Sequence, residues 1–172
     1  MLKSQIFIDT YLSPVGKLVL ATRDAFSLTG LWIDGQKYFC AGLDMGNRVC
    51  QDNIPVFNAT KRWLDAYFAG HPGNIYDLNL SPTGGEFRQS VWRALCDIPY
   101  GTTATYGDIA QMVSVCTGRA TSPRAVGGAI GHNPISIIIP CHRVVGANGN
   151  LVGYAGGLDI KKKLLMAEGV NL

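Results

Sequence analysis

Three things are scarce in this sequence, and each scarcity narrows what the chain can be. Charge is sparse: only 16% of residues are Asp, Glu, Lys or Arg, and the formal net charge is +3. So mild a basic balance permits an anionic partner without demanding one. Cysteine is present five times, at Cys40, Cys50, Cys96, Cys116 and Cys141, an odd number at wide spacings with no Cys-x-x-Cys pair and no Cys/His ladder. That pattern argues against a disulfide framework and against a structural zinc site, and fits a reducing cytosol. Long apolar runs are missing as well. Nothing approaches the ~20 residues of a membrane span, and the opening Met1 to Thr10 carries Asp9 where a secretory leader needs a longer apolar run. The expectation is a cytoplasmic monomer with no membrane attachment, no metal and no cofactor.

What is present is enough apolar material for a core: 47% of 172 residues, which suits one sizeable domain or two small ones. The stretch that organises the chain is Ile135 to Val145, I-S-I-I-I-P-C-H-R-V-V. An uncharged, β-branched run predicts a buried strand, ended by Pro140, which has no donor for a ladder. The strand would then deliver Cys141 rigidly to a surface. Beside it, His142 and Arg143 could supply the base or the positive potential that makes a thiol a nucleophile. Taken alone, however, Cys141 reads equally as a small inert core residue, because neighbours in an extended chain point opposite ways.

The first eighty residues read as a small α+β unit. Gln5 to Tyr11, Lys17 to Ala21 and Ser27 to Ile33 alternate as short strands, separated by turns at Ser13-Pro14-Val15-Gly16 and Arg23-Asp24-Ala25, which makes a β-meander. The region from Asp34 to Asn53 has no clear period. From Pro55, a favourable first-turn residue, helical spacing runs to Gly70-His71-Pro72-Gly73, and Leu78 and Leu80 suggest a further strand. No catalytic cluster is visible in this part.

Ser81-Pro82-Thr83-Gly84-Gly85 concentrates turn formers, so the domains are expected at 1–80 and 81–172. Beyond it the pattern is helical. Thr83 and Glu86 have capping-box spacing ahead of a stripe of Phe87, Val91, Trp92 and Leu95. Thr105 and Asp108 repeat that signal before Ile109, Met112 and Val113. Ser122-Pro123 then starts a short helix ended by Gly131. Helix, turn and short helix outline a helix-turn-helix. The last of these helices holds Ala125, Gly127, Gly128 and Ala129, although each glycine costs roughly 1 kcal/mol against alanine. Either a protein element packs closely there, or main-chain amides approach a nucleic-acid backbone with Arg124 projecting. Gly-rich loops follow at Gly146 to Asn150 and Gly153 to Gly157. Asp159 is expected to cap a final helix with Ile160, Leu164, Leu165 and Ala167 inward and Lys161 to Lys163 outward.

Taken together, Ile138-Ile139-Pro140-Cys141-His142-Arg143-Val144, the upstream Ser122-Pro123-Arg124-Ala125-Val126-Gly127-Gly128 and Asn133-Pro134, and the downstream Tyr154-Ala155-Gly156-Gly157 resemble the O6-alkylguanine-DNA alkyltransferases, the methylated-DNA–protein-cysteine methyltransferases. The resemblance is dense from Phe87 to Gly169 and rests on general layout before that. It implies an α+β protein: a β-meander with a helix, then a mostly helical DNA-binding domain whose short strand leads to the active cysteine. It also implies a single-turnover enzyme that moves an alkyl group from O6 of guanine in double-stranded DNA, or from O4 of thymine, onto Cys141.

By the same resemblance His142 would act as base through a water, Glu168 would orient His142, and Asn133 would brace the turn holding the cysteine. Tyr106 would stand beside the extruded nucleotide and offer a proton to the departing guanine. Arg124 would enter the base stack, while Ala125, Gly127 and Gly128 would let the helix backbone into the minor groove. Val144, Tyr154, Ala155 and Gly156 would wall the base pocket. Two departures stand out: Ala155 replaces the serine of some members, and Val113 to Thr121 is longer than in compact ones. Cys141 argues against a lesion-binding module that lacks the nucleophile. No separate sensor domain supports a transcription regulator, and no oxyanion-hole motif supports a cysteine hydrolase.

Overall fold

In the computed structural model, which describes residues 5–172, the chain divides into two compact units, one ending at Thr83 and the other beginning at Gly84. The reading of the opening residues as no leader falls partly on 1–4, outside the described residues.

The first unit is built on a four-stranded sheet. Strands β1 (Ile6–Ser13), β2 (Gly16–Thr22) and β3 (Leu28–Ile33) pair antiparallel in sequence order, as the alternating segments predict. A fourth strand, β4 (Arg48–Cys50), lies in the stretch without a sequence period and pairs parallel with the outer side of β1, giving the order β3-β2-β1-β4. Helix α1 (Pro55–Phe68) has proline at its first turn and buries Val56, Phe57, Thr60, Trp63, Leu64 and Tyr67. Each fully buried Leu, Ile or Phe contributes roughly 1.5–3 kcal/mol, so the apolar faces of β2, β3 and α1 carry this unit. The strand expected at Leu78 and Leu80 is only a single bridge between Leu80 and Leu28, after a helical turn at Ile75–Asp77.

The second unit packs three helices against one another: α2 (Glu86–Cys96), α3 (Tyr106–Thr117) and α4 (Pro123–Gly131). Val91, Trp92 and Leu95 from α2 meet a core that also buries Ile109, Val113, Val126 and Ile130, and Trp92 Nε1 donates to the Ala129 carbonyl at 2.9 Å. Thr105 and Asp108 form a full capping box at the start of α3, and Ser122 caps α4 through the Ala125 N–H. Thr83 does not cap α2, whose N-cap is Gly85, without a side-chain bond. Likewise Gly157, not Asp159, is the N-cap of α5 (Leu158–Ala167).

The strand expected at Ile135 to Pro140 does not form. These residues are buried, but Ile138 N–H donates to Ser136 O and Ile139 N–H to Ile135 O, so the backbone closes on itself in successive turns. Ile137 sits at φ 71°, a strained position for a β-branched residue that costs of order 1–3 kcal/mol. An apolar β-branched run reports burial, and extension is only one way to achieve it. The regular pairing comes after the cysteine: β5 (Ala104–Thr105) and β6 (Val144–Val145) pair in parallel, Ala104 opposite Val144.

Candidate active site

Cys141 opens a one-turn 3-10 helix, Cys141–Arg143, and this turn runs directly into β6. Because β5 leads straight into α3 at Tyr106, the β5–β6 pair brings Tyr106 to the side of the cysteine turn. No strand is needed to hold the sulfur. Asn133 does this instead. Its Oδ1 accepts from the Ile135 N–H at 3.0 Å, and its Nδ2 donates to the Ile139 carbonyl at 2.8 Å and to Cys141 Sγ at 3.1 Å. One buried amide therefore closes the turn and touches the Cys141 sulfur.

Cys141 is 5% exposed. Burial pushes its thiol pKa up, opposed by the Asn133 hydrogen bond, by the Lys161 charge and by the backbone amides of Cys141 and His142. The sulfur is reactive only to the extent that these donors offset desolvation. His142 is fully buried, and burial pushes its pKa below the usual value despite its bond to Glu168; Arg143 and Lys161 push the same way. The imidazole is therefore neutral and able to take a proton.

Glu168, the C-cap of α5, accepts four hydrogen bonds. Oε1 receives His142 Nε2 at 2.6 Å and Arg143 Nη2 at 3.1 Å; Oε2 receives Arg143 Nε at 2.8 Å and the Gly101 N–H at 3.1 Å. Arg143 also donates to the Ile98 carbonyl at 2.7 Å and lies over the Tyr100 ring. With His142 donating from Nε2, its Nδ1 is the basic nitrogen. Gly101 is required twice over, by φ 75° and because a Cβ there would stand 3.0 Å from the Glu168 carbonyl.

Lys161 was expected to face solvent with Lys162 and Lys163. It is instead fully buried, donating to the carbonyls of Val144 at 2.5 Å, Val152 at 2.7 Å and Gly153 at 3.2 Å. Ala167, expected inward, is exposed. The pattern that reveals this was present: Lys161, Leu164, Leu165 and Glu168 share one face at i, i+3, i+4 and i+7. The three consecutive lysines masked it. Arg143 and Gly101 had no sequence signal for their bonds to Glu168, since both lie far from it in the chain.

On the open side of the site, the Tyr106 hydroxyl donates to the Val152 carbonyl at 3.3 Å. A Cβ on Gly153 would stand 3.3 Å from that hydroxyl. Burial, and the nearby negative charge that Cys141 can carry, keep Tyr106 protonated and so able to donate. Tyr154 is half-buried; its hydroxyl is shielded from water, finds no partner among the described residues, and is held well above its ordinary pKa by burial. Ala155 and Gly156 are half-buried in the same loop. Arg124, Ala125 and Gly128 are exposed on α4, and Gly127 lies near the Tyr106 ring, which a Cβ would meet at 3.5 Å. The structure thus brings together two bonded pairs, Asn133 with Cys141 and His142 with Glu168, on adjacent residues of one turn, and sets Tyr106, Val144 and the Tyr154 loop around them. Among the described residues, no group of three or more His, Cys, Asp or Glu could hold a metal ion, and no helix is long and apolar enough to cross a membrane.

Residues 86–170 match the family model for the DNA-binding domain of 6-O-methylguanine DNA methyltransferase, and residues 6–82 match its ribonuclease-like domain. A methylated-DNA–protein-cysteine methyltransferase of Methanosarcina barkeri is 43% identical over 97% of this chain and 99% of its own length. One from Methanosarcina acetivorans is 53% identical over 69% of this chain and 72% of its own. The crystal structure of Mycobacterium tuberculosis OGT in complex with DNA superposes with a TM-score of 0.82, at 41% identity, over 95% of this chain and 93% of that one. Matched along nearly its whole length in sequence and in fold, this chain belongs to the 6-O-methylguanine DNA methyltransferase family, the methylated-DNA–protein-cysteine methyltransferases.

Proposed function

We propose that this chain repairs double-stranded DNA by moving the alkyl group of an O6-alkylguanine onto Cys141, once per molecule. The sulfur attacks the alkyl carbon; the S–C bond forms as the C–O6 bond breaks, and its electron pair leaves with the purine. The thiol proton passes to His142 through a water, and Tyr106 offers the proton that the departing guanine takes up. Arg143 and Gly101 hold Glu168, and Glu168 holds His142. The product is a thioether, which cellular reductants do not cleave as they do a disulfide, so the site is spent.

The observation that carries this reading is the pairing of Cys141, bonded to Asn133, with its sequence neighbour His142, buried, neutral and bonded to Glu168, in the same unit as a helix-turn-helix. At 5% exposure Cys141 cannot meet an alkyl carbon inside a stacked duplex, which supports extrusion of the base. Extrusion costs a few kcal/mol, less for a damaged, weakly paired base. Arg124, exposed in the first turn of α4, would occupy the gap; Val144, Tyr154, Ala155 and Gly156 would wall the extruded base.

The test is incubation with duplex DNA carrying tritiated O6-methylguanine. One label per protein on the Cys141 peptide is expected, with no release. Label set free over many cycles, or carried on another residue, would overturn the reading.

A further inference from the structure

The stretch Val113 to Thr121, longer than in compact members of the family, contributes no residue to the site around Cys141. It is nevertheless firmly built. Helix α3 is closed by Gly118 in the left-handed region, at φ 68°, and two hydroxyls of its last turns pin the chain beyond it. Thr117 Oγ1 accepts from the Arg119 N–H at 3.3 Å, and Ser114 Oγ accepts from the Thr121 N–H at 3.1 Å. Each hydroxyl in turn donates to a carbonyl one turn earlier in α3, at 2.8 Å. An extension tied down in this way presents its side chains from a fixed backbone.

Opposite it stands α2. Between the two runs an open groove of about 840 Å³, lined by Phe87 and Arg93 of α2, by Val113, and by Arg119 and Thr121 of the extension. Both arginines are exposed, and among the described residues neither guanidinium makes a hydrogen bond or an ion pair. Glu86 is the one acidic side chain on the lining, so the groove is net positive. A planar guanidinium with its donors unused suits a phosphate oxygen pair.

The surroundings indicate which phosphate. The whole formal charge of +3 lies in the second unit: residues 84–172 hold 8 Lys and Arg against 5 Asp and Glu, whereas residues 1–83 hold 7 of each. Arg143 and Lys161 are buried, which leaves six cations on that unit's surface, Arg93 and Arg119 among them. A third, Arg124, follows Thr121 by three residues, so the two Cα atoms are at most ~11 Å apart. Along a duplex that distance is about three base-pair steps.

We propose that this groove seats the sugar–phosphate backbone of the duplex beside α4, with Arg93 and Arg119 each neutralising a phosphate. The proposal rests on the repair reading and adds to it a second contact, about three base pairs from the extruded base. Such contacts carry no sequence information; they fix the protein's register on the duplex. The long segment then has a use: it builds the second wall of the seat and holds Arg119 in it.

The test is the salt dependence with which the full chain binds an undamaged duplex, followed by fluorescence anisotropy. Each neutralised phosphate adds about 0.9 to the slope of log K against log salt. Arg93→Gln and Arg119→Gln are each expected to lower that slope by about 0.9 and to weaken binding about eightfold at 0.1 M salt; the double variant should lose about 1.8. Glu86→Gln, which removes the opposing charge, is expected to bind more tightly. Arg62→Gln removes the same charge from the exposed face of α1 in the other unit and serves as the comparison. The parent slope retained in both arginine variants, a fall as large in Arg62→Gln, or no tightening in Glu86→Gln overturns the seat while leaving the repair reading in place. A parent that does not bind duplex DNA overturns both.

Discussion

A single residue decides much in this site when it is buried and has several partners. Asn133 makes three hydrogen bonds from one amide and so closes the Ile135–Ile139 turn on the sulfur. Glu168 accepts four, two of them from Arg143 through two nitrogens. Arg124 is the opposite case: it is exposed at the start of α4, and its proposed role is toward DNA. Arg124→Ala is expected to slow repair of O6-methylguanine in duplex DNA about tenfold or more, about 1.4 kcal/mol. It should leave reaction with free O6-benzylguanine within about twofold. Rates on the two substrates, compared in one preparation, check this, and equal losses would remove the finger role.

At the scale of elements, Gly127 and Gly128 of α4 differ: a Cβ on the first would stand against the Tyr106 ring, and one on the second would not meet a neighbour. The glycines of this helix suit either a tightly packed protein neighbour or a nucleic-acid backbone. A Cβ on Gly128 would meet nothing within 4 Å among the described residues, so none of them packs there. Gly128→Ala is therefore expected to stabilise the protein by about 0.5–1 kcal/mol, the ordinary gain of alanine over glycine in a helix. If α4 enters a groove by its backbone, the same change weakens duplex binding. Denaturant unfolding and a DNA titration of one variant give both numbers; a stabilised variant with unaltered DNA affinity would speak against the groove role. The strand that the run Ile135 to Pro140 predicts does not form, for a physical reason. Its hydrophobic run signalled burial, but two flanking prolines and the bonds of Asn133 close it into turns. Strand β4 went unread because three residues, paired along one edge of β1, carry no alternation long enough to detect.

For the molecule as a whole, reaction at Cys141 is also a perturbation of the core. The sulfur lies in packed surroundings, 5% exposed and bonded to Asn133. An added alkyl group must displace neighbours, and overpacking of this kind costs typically 1–3 kcal/mol. In a chain of 172 residues each kcal/mol moves Tm by about 2–4 °C. The alkylated protein is therefore expected to melt roughly 2–12 °C below the unreacted one in a thermal scan with and without prior treatment by O6-methylguanine DNA. An unchanged Tm would show that the pocket accepts the group without strain.

The linear chain by itself determined what depends on local chemistry. The meander of β1 to β3, the proline-started α1, the Thr105 capping box and the Ser122 cap follow from residues close together in sequence, whose side chains satisfy their own backbone. Tertiary structure alone decided the partners of buried charge. That Lys161 turns inward to three carbonyls, that Arg143 and Gly101 reach Glu168, and that a turn rather than a strand presents the sulfur all depend on segments tens of residues apart. Burial makes an unpaired charge costly, and which distant group relieves that cost is settled only when the chain has closed on itself.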